Sequence, residues 1–212
     1  MKNSAIIVVD MLYDFIDGTL ACRNAENAVA SCLQFINKAT GDSTKGTGAN
    51  EKNPTPMELK PDEEILDTYP ILFIKDYHPA NHSSFKEFGG TWPAHCVEGT
   101  RGSEIHIDLQ PYVKEELVFY KGRDPQQEQY SGFEGTNEAG QSLNEVLELL
   151  DIRKLYICGI ATEYCVKNTV LDLFKEGYNI SVVSDALAYI DPEGHKETLN
   201  ELAAKGVEIT NK

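Results

Sequence analysis

The sequence predicts an α/β domain of three layers (α/β/α), in which helices cover both faces of a central, mostly parallel β-sheet. Short, continuous apolar runs rich in β-branched residues are typical of strands that are buried on both faces. Segments with apolar residues at helical spacing lie between these runs, which is the pattern of a doubly wound parallel sheet. The length of 212 residues fits one domain, so we expect residues 1–212 to form a single domain with a loop insertion at about residues 40–64.

The first half of the chain supplies three predicted strands and one predicted helix. AIIVVD at residues 5–10 and PILFIKD at residues 70–76 are typical of buried strands, and a third strand is expected at residues 117–121. Residues 24–39 carry apolar side chains at helical spacing and predict a helix. Residues 40–64 are rich in glycine, proline, threonine and charge, with almost no apolar side chains, which predicts a long loop.

The second half of the chain alternates helices and strands more regularly. A helix is expected from Ser142, followed by the strand KLYICGI at residues 154–160. TEYCVKNTVLDLFKEG at residues 162–177 predicts a helix that ends at its glycine. NISVVSD at residues 179–185 predicts a fifth strand, and residues 191–210 predict a last helix and a short edge strand, VEIT.

Composition excludes several classes of protein. Lysine and arginine number 19 against 34 aspartates and glutamates, and the net charge of −15 repels nucleic acid and anionic lipid. No apolar run approaches the ~18 residues of a membrane span, and AIIVV is too short for the apolar core of a secretion signal. The five cysteines are odd in number and form no C-x-x-C motif, so we expect reduced thiols in the cytoplasm.

Reactive side chains follow four of the predicted strands. The first strand ends in Asp10, the second in Asp76 and His78, and the third in Lys121. The fourth strand continues through GIATEYC, which places Cys165 in the first turn of the next helix. Because open α/β sheets bind ligands beyond the carboxyl ends of their strands, we expect these side chains to meet at one edge of the sheet.

Three of these residues suggest nucleophilic catalysis. A helix N-terminus stabilises a thiolate, so we expect the pKa of Cys165 to be lowered and its sulfur to be a nucleophile. Asp10 could take the proton from a thiol, and Lys121 could hold Asp10 ionised and stabilise developing negative charge. Each has an ordinary alternative: a buried apolar cysteine, a structural aspartate in a cap or ion pair, and a surface lysine.

A second group of residues suggests a metal site. Asp76 and His78 are two apart on an extended strand end and point the same way, and His95 arrives from the following loop. Two imidazoles and one carboxylate are usual ligands of Zn²⁺ or Fe²⁺. His82 is a fourth candidate, either as a ligand or as a group that supports one. Phe15 and Trp92 lie near these motifs and could enclose a flat aromatic ligand, although buried aromatics are more often plain core.

Taken together, the motifs resemble those of a known family. They are VVDMLYDF, DYHPANHSSF, WPAHCVEGTRGSEIH, FYKG followed by QYSGF, and GIATEYCVKNTVLDLFKEGYNISVVSDA. In this order and over nearly the whole chain, they resemble the nicotinamidases and pyrazinamidases of the isochorismatase-like cysteine hydrolase superfamily. The resemblance implies the isochorismatase-like hydrolase fold. The metal segment distinguishes nicotinamidases from most metal-free relatives.

The resemblance implies a role for each motif residue. Cys165 matches the nucleophile, Asp10 the general base and Lys121 the lysine that orients and charges the pair. Ile160–Ala161 matches a cis peptide, and the backbone N–H groups of Ala161 and Cys165 match an oxyanion hole. The implied ligands of a divalent metal, with zinc expected and iron or manganese as alternatives, are Asp76, His78 and His95. The implied contacts to the substrate are Phe15, Trp92, Tyr130 and Ile160.

The implied activity is hydrolysis of nicotinamide to nicotinate and ammonia through a cysteine thioester, within NAD salvage, with pyrazinamide as a second substrate. The expected partner is this small molecule; nucleic acid and membrane are not expected, and a homo-oligomer is left open. Alternatives are a cysteine hydrolase acting on N-carbamoyl or ureido substrates, and a metalloenzyme whose bound water attacks. A non-catalytic interaction domain would not need the complete triad, and true isochorismatases lack the cysteine.

Overall fold

The computed structural model describes residues 3–41 and 69–211 and confirms the predicted α/β architecture. One sheet contains six strands: β1 (Ser4–Val9), β2 (Ile71–Asp76), β3 (Val118–Lys121), β4 (Lys154–Gly159), β5 (Asn179–Leu187) and β6 (Glu208–Thr210). The α-helices of the described residues are α1 (Tyr13–Ile16), α2 (Ala25–Thr40), α3 (Leu143–Leu149), α4 (Lys167–Lys175) and α5 (Pro192–Ala204). No helix in these ranges is long and apolar enough to cross a membrane.

The sheet order explains why the strand sequences are apolar on both faces. The strands run in the order β3-β2-β1-β4-β5-β6, and every neighbouring pair is parallel. Along β1, alternate side chains point to opposite faces: Ile7 and Val9 pack with the apolar residues of α3, α4 and α5, whereas Ile6 and Val8 pack with those of α2. Helices therefore cover both faces, which confirms the three predicted layers.

The register of the central strands brings the reactive ends together. In the β2–β3 ladder Asp76 is paired with Lys121, and in the β1–β4 ladder Val9 is paired with Gly159. Asp10 follows β1 directly and accepts a hydrogen bond from the backbone N–H of Asp76 through its Oδ1, at 2.9 Å. The predicted meeting of these strand ends at one edge of the sheet is confirmed.

Several element boundaries differ from the predictions. The helix predicted at residues 24–39 continues to Thr40, so that residue belongs to α2 and not to the predicted loop. The remainder of the predicted insertion, residues 42–64, lies outside the described residues, and the single domain over residues 1–212 stays a prediction. The helix predicted from residue 162 opens with a π-helical turn, Thr162–Val166, before α4 begins. The fifth strand extends past residue 185 to Leu187.

Candidate active site

A cavity lies at the carboxyl ends of the central strands, where the sequence predicts the site. The empty space is about 440 Å³, which includes open solvent at the mouth. Its walls include most of the predicted site residues, namely Phe15, Asp76, His78, Trp92, His95, Tyr130, Ala161 and Cys165. Asp10 and Lys121 lie behind this wall and are almost completely buried.

The three residues predicted to be catalytic form one buried cluster. The Nζ of Lys121 lies 2.9 Å from Asp10 Oδ2 and 3.5 Å from Cys165 Sγ, and it also donates to Asp76 Oδ1. The oxygen Asp10 Oδ2 is buried and, apart from this ion pair, accepts no hydrogen bond from the described residues. A carboxylate oxygen of Asp10 lies within 4.8 Å of Cys165 Sγ, so Asp10 is placed to accept a proton from the thiol.

Burial and charge set the protonation states of this cluster. Burial raises the pKa of the Asp10 carboxyl to about 6, although the charge of Lys121 opposes this shift. Burial alone would lower the pKa of Lys121, but the charges of Asp10 and Asp76 hold it well above its ordinary value. Lys121 is thus an ammonium between two carboxylates, and Asp10 is a base whose affinity for protons is increased.

The expected lowering of the Cys165 pKa is wrong. The thiol is only 6% exposed, and its burial, together with the charges of Asp10 and Asp76, raises its pKa well above the ordinary value despite the attraction of Lys121. The residue also lies in the π-helical turn, not in the first turn of an α-helix. The resting sulfur is therefore a thiol, which needs a base beside it to become a nucleophile.

The three predicted metal ligands also form a cluster. His78 Nε2 and His95 Nε2 lie 3.5 Å and 3.8 Å from Asp76 Oδ2, and one potential ligand atom from each residue lies within 4.8 Å of the others. Asp76 is shared by the two clusters, because its Oδ1 binds Lys121 while its Oδ2 faces the imidazoles. Burial alone would raise the pKa of Asp76, but Lys121 and His78 hold it below its ordinary value, so the carboxylate stays charged.

Backbone carbonyls orient both imidazoles toward Asp76. His78 Nδ1 lies 3.0 Å from Gly122 O, and His95 Nδ1 lies 2.8 Å from Pro93 O. If each Nδ1 carries the proton, each Nε2 presents a lone pair to the cluster, as ligands of a metal require. A Cβ at Gly122, which has a φ of 71°, would lie 2.3 Å from the His78 ring, so this glycine allows the close approach. The donor set therefore fits a divalent ion.

His82 does not belong to the ligand set. Its Nδ1 lies 2.7 Å from Ser84 Oγ, and its Nε2 lies 3.1 Å from the carbonyl oxygen of Gln127. Its ring packs on that of His78, with 4.3 Å between the ring centroids. His82 thus packs against His78, a candidate ligand, and helps to hold its ring in place. This is the second of the two roles predicted for it.

Aromatic side chains form the walls of the cavity. The ring of Phe15 lies 5.5 Å from that of His95, whereas Trp92 packs edge-on against Tyr164 at 5.2 Å. One carboxylate oxygen of Glu128 accepts hydrogen bonds from Trp92 Nε1 at 3.0 Å and from the Tyr130 hydroxyl at 2.5 Å. These contacts hold Trp92 and Tyr130 in place as one wall of a slot.

The turn before Cys165 has the backbone features that the resemblance implies for an oxyanion hole. The Ile160–Ala161 peptide is cis. Among the described residues, no acceptor is present for the backbone N–H of Ala161, and both Ala161 and Cys165 line the cavity. Ile160, however, is fully buried in the core on the α2 side and does not line the cavity, so the prediction of a direct substrate contact by its side chain is not supported by the geometry.

Four apolar or weakly polar wall residues were not predicted from the sequence. They are Leu20, Cys22, Tyr164 and Ile190. Tyr164 directly precedes Cys165 within one of the recognised motifs, so the sequence alone could have suggested it as a wall residue. The others come from loops whose paths depend on long-range packing. All five cysteines are free, and thiols outside the cavity, such as Cys32 and Cys158, are buried in the core.

Replacing Lys121 by methionine is expected to lower the free energy of unfolding by about 3–5 kcal/mol, because it leaves two buried carboxylates without their counter-charge. Urea unfolding of the metal-free protein at neutral pH measures this loss. The matched control is Lys154→Met, whose exposed partner Glu208 makes the pair worth only about 0–1 kcal/mol. Equal losses in the two variants would show that Lys121 does not hold the cluster together.

Comparison with known proteins agrees with this site. The Isochorismatase domain matches residues 4–212. A nicotinamidase from Acinetobacter baylyi is 34% identical over 208 residues, which cover 89% of this chain and 94% of that protein. A pyrazinamidase from Pyrococcus horikoshii, solved in complex with zinc, is 32% identical with a TM-score of 0.79, and the match covers 99% of both chains. PnC1 from L. infantum, solved in complex with nicotinate, is 25% identical with a TM-score of 0.75, over 99% of this chain and 93% of the other.

These matches show that the chain belongs to the isochorismatase family. Within that family it groups with the nicotinamidases and pyrazinamidases, which confirms the resemblance noted in its motifs.

Proposed function

We propose that this protein is an amidohydrolase that converts nicotinamide to nicotinate and ammonia through a thioester on Cys165. The proposal rests on one observation, which is that the cluster around Cys165 and the cluster of candidate metal ligands share one cavity. Asp10, Lys121 and Cys165 meet on one side of Asp76, and His78 and His95 meet on the other. The names of the similar proteins support the same substrate class, including pyrazinamide as a second substrate.

The cavity offers a place for each part of a pyridine carboxamide. The ring would lie in the slot between Phe15 and the wall formed by Trp92 and Tyr130. Asp76, His78 and His95 would hold a divalent ion, for which we propose zinc, with iron or manganese as alternatives. When bound, the ion supplies a Lewis-acidic contact for the ring nitrogen. This arrangement directs the amide carbon toward Cys165.

The first half of the reaction transfers the acyl group to the enzyme. Asp10 takes the proton of the Cys165 thiol, and the resulting thiolate attacks the amide carbon, whose π electrons move to oxygen. The backbone N–H groups of Ala161 and Cys165 stabilise this oxyanion, and one such donor is worth about 3 kcal/mol. Asp10 then gives its proton to the leaving nitrogen. The C–N bond breaks, ammonia departs and a thioester remains.

The second half returns the enzyme to its starting state. Asp10 removes a proton from a water molecule, whose oxygen attacks the thioester carbon. The oxyanion collapses, the C–S bond breaks, and the sulfur regains the proton from Asp10. Lys121 holds Asp10 in place throughout and keeps the carboxylate charged between the two steps. The products are the free Cys165 thiol and nicotinic acid, which gives its proton to the released ammonia and leaves as nicotinate.

We also infer the cellular setting from this chemistry. Hydrolysis of nicotinamide to nicotinate is a step of NAD salvage, and its nucleophile must stay reduced. The free state of the five cysteines supports a location in the cytoplasm, where thiols are kept reduced.

Ammonia release from three classes of substrate tests the proposed function. We expect rapid release from nicotinamide and pyrazinamide, but not from an N-carbamoyl amino acid, because the latter has no aromatic ring for the slot. The assay uses purified protein with its metal content measured, and product is identified as nicotinate by chromatography. Release only from the N-carbamoyl substrate would replace the proposal with the ureido-hydrolase alternative.

Replacing His78 by alanine is expected to weaken metal binding by at least about 10–100-fold and to raise KM for nicotinamide, because one of three ligands is lost. Metal content by elemental analysis and steady-state kinetics measure the two effects. His106→Ala is the control, since His106 lies outside the cavity and faces Asp108. Unchanged metal content and KM in His78→Ala would refute the proposed ligand set.

A further inference from the structure

Asp14 is a buried carboxylate that the mechanism above does not use. It lies in α1, is 9% exposed, and belongs to none of the ion pairs found among residues 3–41 and 69–211. Its Oδ2 accepts a hydrogen bond of 2.7 Å from the backbone N–H of Cys96, and its Oδ1 accepts one of 3.1 Å from the backbone N–H of Thr19. A carboxylate taken out of water in this way usually has a specific task.

The Cys96 peptide that Asp14 binds lies between two candidate metal ligands. Cys96 follows His95 in the chain, and its carbonyl oxygen accepts the backbone N–H of His78 at 3.0 Å. Its φ of 47° lies in the left-handed region, which residues other than glycine rarely adopt. Such a conformation persists only where the surroundings impose it. The hydrogen bond that the Cys96 N–H donates to Asp14 is one of the contacts that impose it.

Two glycines leave the space that the Asp14 carboxylate occupies. A Cβ at Gly102 would lie 2.0 Å from Asp14 Oδ2, and a Cβ at Gly18 would lie 2.4 Å from Oδ1. The Thr19 hydroxyl adds a second link between the same two segments by donating to the carbonyl of Ala94 at 2.8 Å. Asp14 and Thr19 thus join the segment after β1 to the segment that carries His95.

We propose that Asp14 is a positioning residue for the metal site. By fixing the Cys96 peptide, its carboxylate sets the directions in which His95 and His78 present Nε2 to Asp76. Phe15 follows Asp14 in the chain, and its ring lies 5.5 Å from that of His95. The inference rests on the proposed function, since it assigns a further residue to the metal site on which that function depends.

We expect the loss of zinc affinity to depend on how many hydrogen-bond acceptors the side chain at position 14 retains. A carboxylate accepts hydrogen bonds at both oxygens, whereas the amide of asparagine accepts at one and turns its N–H₂ toward the other donor. Asp14→Asn is therefore expected to bind zinc about 10–100-fold more weakly than the wild type, as is typical when a group that orients metal ligands is lost. Asp14→Ala is expected to bind it more weakly still.

The experiment measures the zinc affinity of metal-free protein by competition with a chromophoric chelator, with far-UV circular dichroism as the check on folding. Asp17→Asn is the matched control, because Asp17 is an exposed carboxylate three residues away that pairs with Arg101. Gly102→Ala is a second variant, which displaces the Asp14 carboxylate without removing its charge. We expect weakened zinc binding in the Asp14 and Gly102 variants and wild-type affinity in Asp17→Asn. We also expect kcat to recover when the Asp14→Asn protein is saturated with zinc.

Folded Asp14→Asn protein with wild-type zinc affinity would overturn the inference. If Asp14→Asn does not fold, wild-type affinity in Gly102→Ala would overturn it instead. Nicotinamide turnover by the wild type, measured in the same series, keeps the two proposals separate. Turnover with unaltered zinc binding in the variants removes only the role of Asp14, whereas absence of turnover and of zinc binding in the wild type removes the proposed function.

Discussion

Cys165→Ala is expected to lower kcat for nicotinamide by at least about 10⁴-fold, which is the scale seen when a covalent nucleophile is removed. Sγ of Cys165 is the atom that would form the thioester, and the neighbouring Lys121 and Asp10 cannot replace it in that bond. Binding of nicotinamide should persist, because the ring slot and the metal ligands are separate side chains. Steady-state ammonia release and a binding titration of the variant measure the two effects.

Cys32→Ala is the matched control for this variant. Cys32 is a fully buried thiol of α2 on the opposite face of the sheet from Cys165, and we expect its variant to retain kcat within a few-fold. Full turnover in Cys165→Ala would contradict the covalent route. If that turnover were then abolished by a chelator, a metal-bound water would be the attacking group, as in the metalloenzyme alternative.

Asp10→Asn is expected to lower kcat by about 10²–10⁴-fold, the usual contribution of a general base. Because burial raises the pKa of Cys165 well above its ordinary value, the thiol does not ionise unaided at neutral pH. Asparagine cannot accept its proton, and it also leaves Lys121 with one carboxylate instead of two. KM for nicotinamide should stay within a few-fold of that of the wild type, which separates loss of the base from loss of substrate binding.

Asp108→Asn provides the comparison for Asp10→Asn, because Asp108 is an exposed carboxylate outside the cavity. Its variant should match the wild type in both kcat and KM. A kcat within tenfold of the wild type in Asp10→Asn would show that another group removes the proton.

The sequence predicted those parts of the fold that depend on local patterns. Strands such as β1 are continuous apolar runs because helices cover both sheet faces, and this pattern alone indicates a parallel sheet. Since parallel strands end at the same edge, the ends of β1, β2 and β3 also predicted that Asp10, Asp76 and Lys121 would meet.

Features that depend on long-range packing were not predicted. The raised pKa of Cys165 results from burial and from carboxylates on other strands, neither of which a helix N-terminal position reveals. The wall residues Leu20 and Ile190 come from loops, whose paths leave little periodic signal. Asp14 lies in a motif that was recognised, but its bond to Cys96 spans 82 residues of the chain.

The most direct test of the account is to trap the acyl-enzyme. Wild-type protein turning over nicotinamide is quenched in acid within milliseconds, digested, and examined by mass spectrometry, with Cys165→Ala treated in parallel. The account predicts a nicotinoyl group on the peptide that contains Cys165 in the wild type and none in the variant. A nicotinoyl group on another residue, or ammonia release that continues in Cys165→Ala, would contradict it.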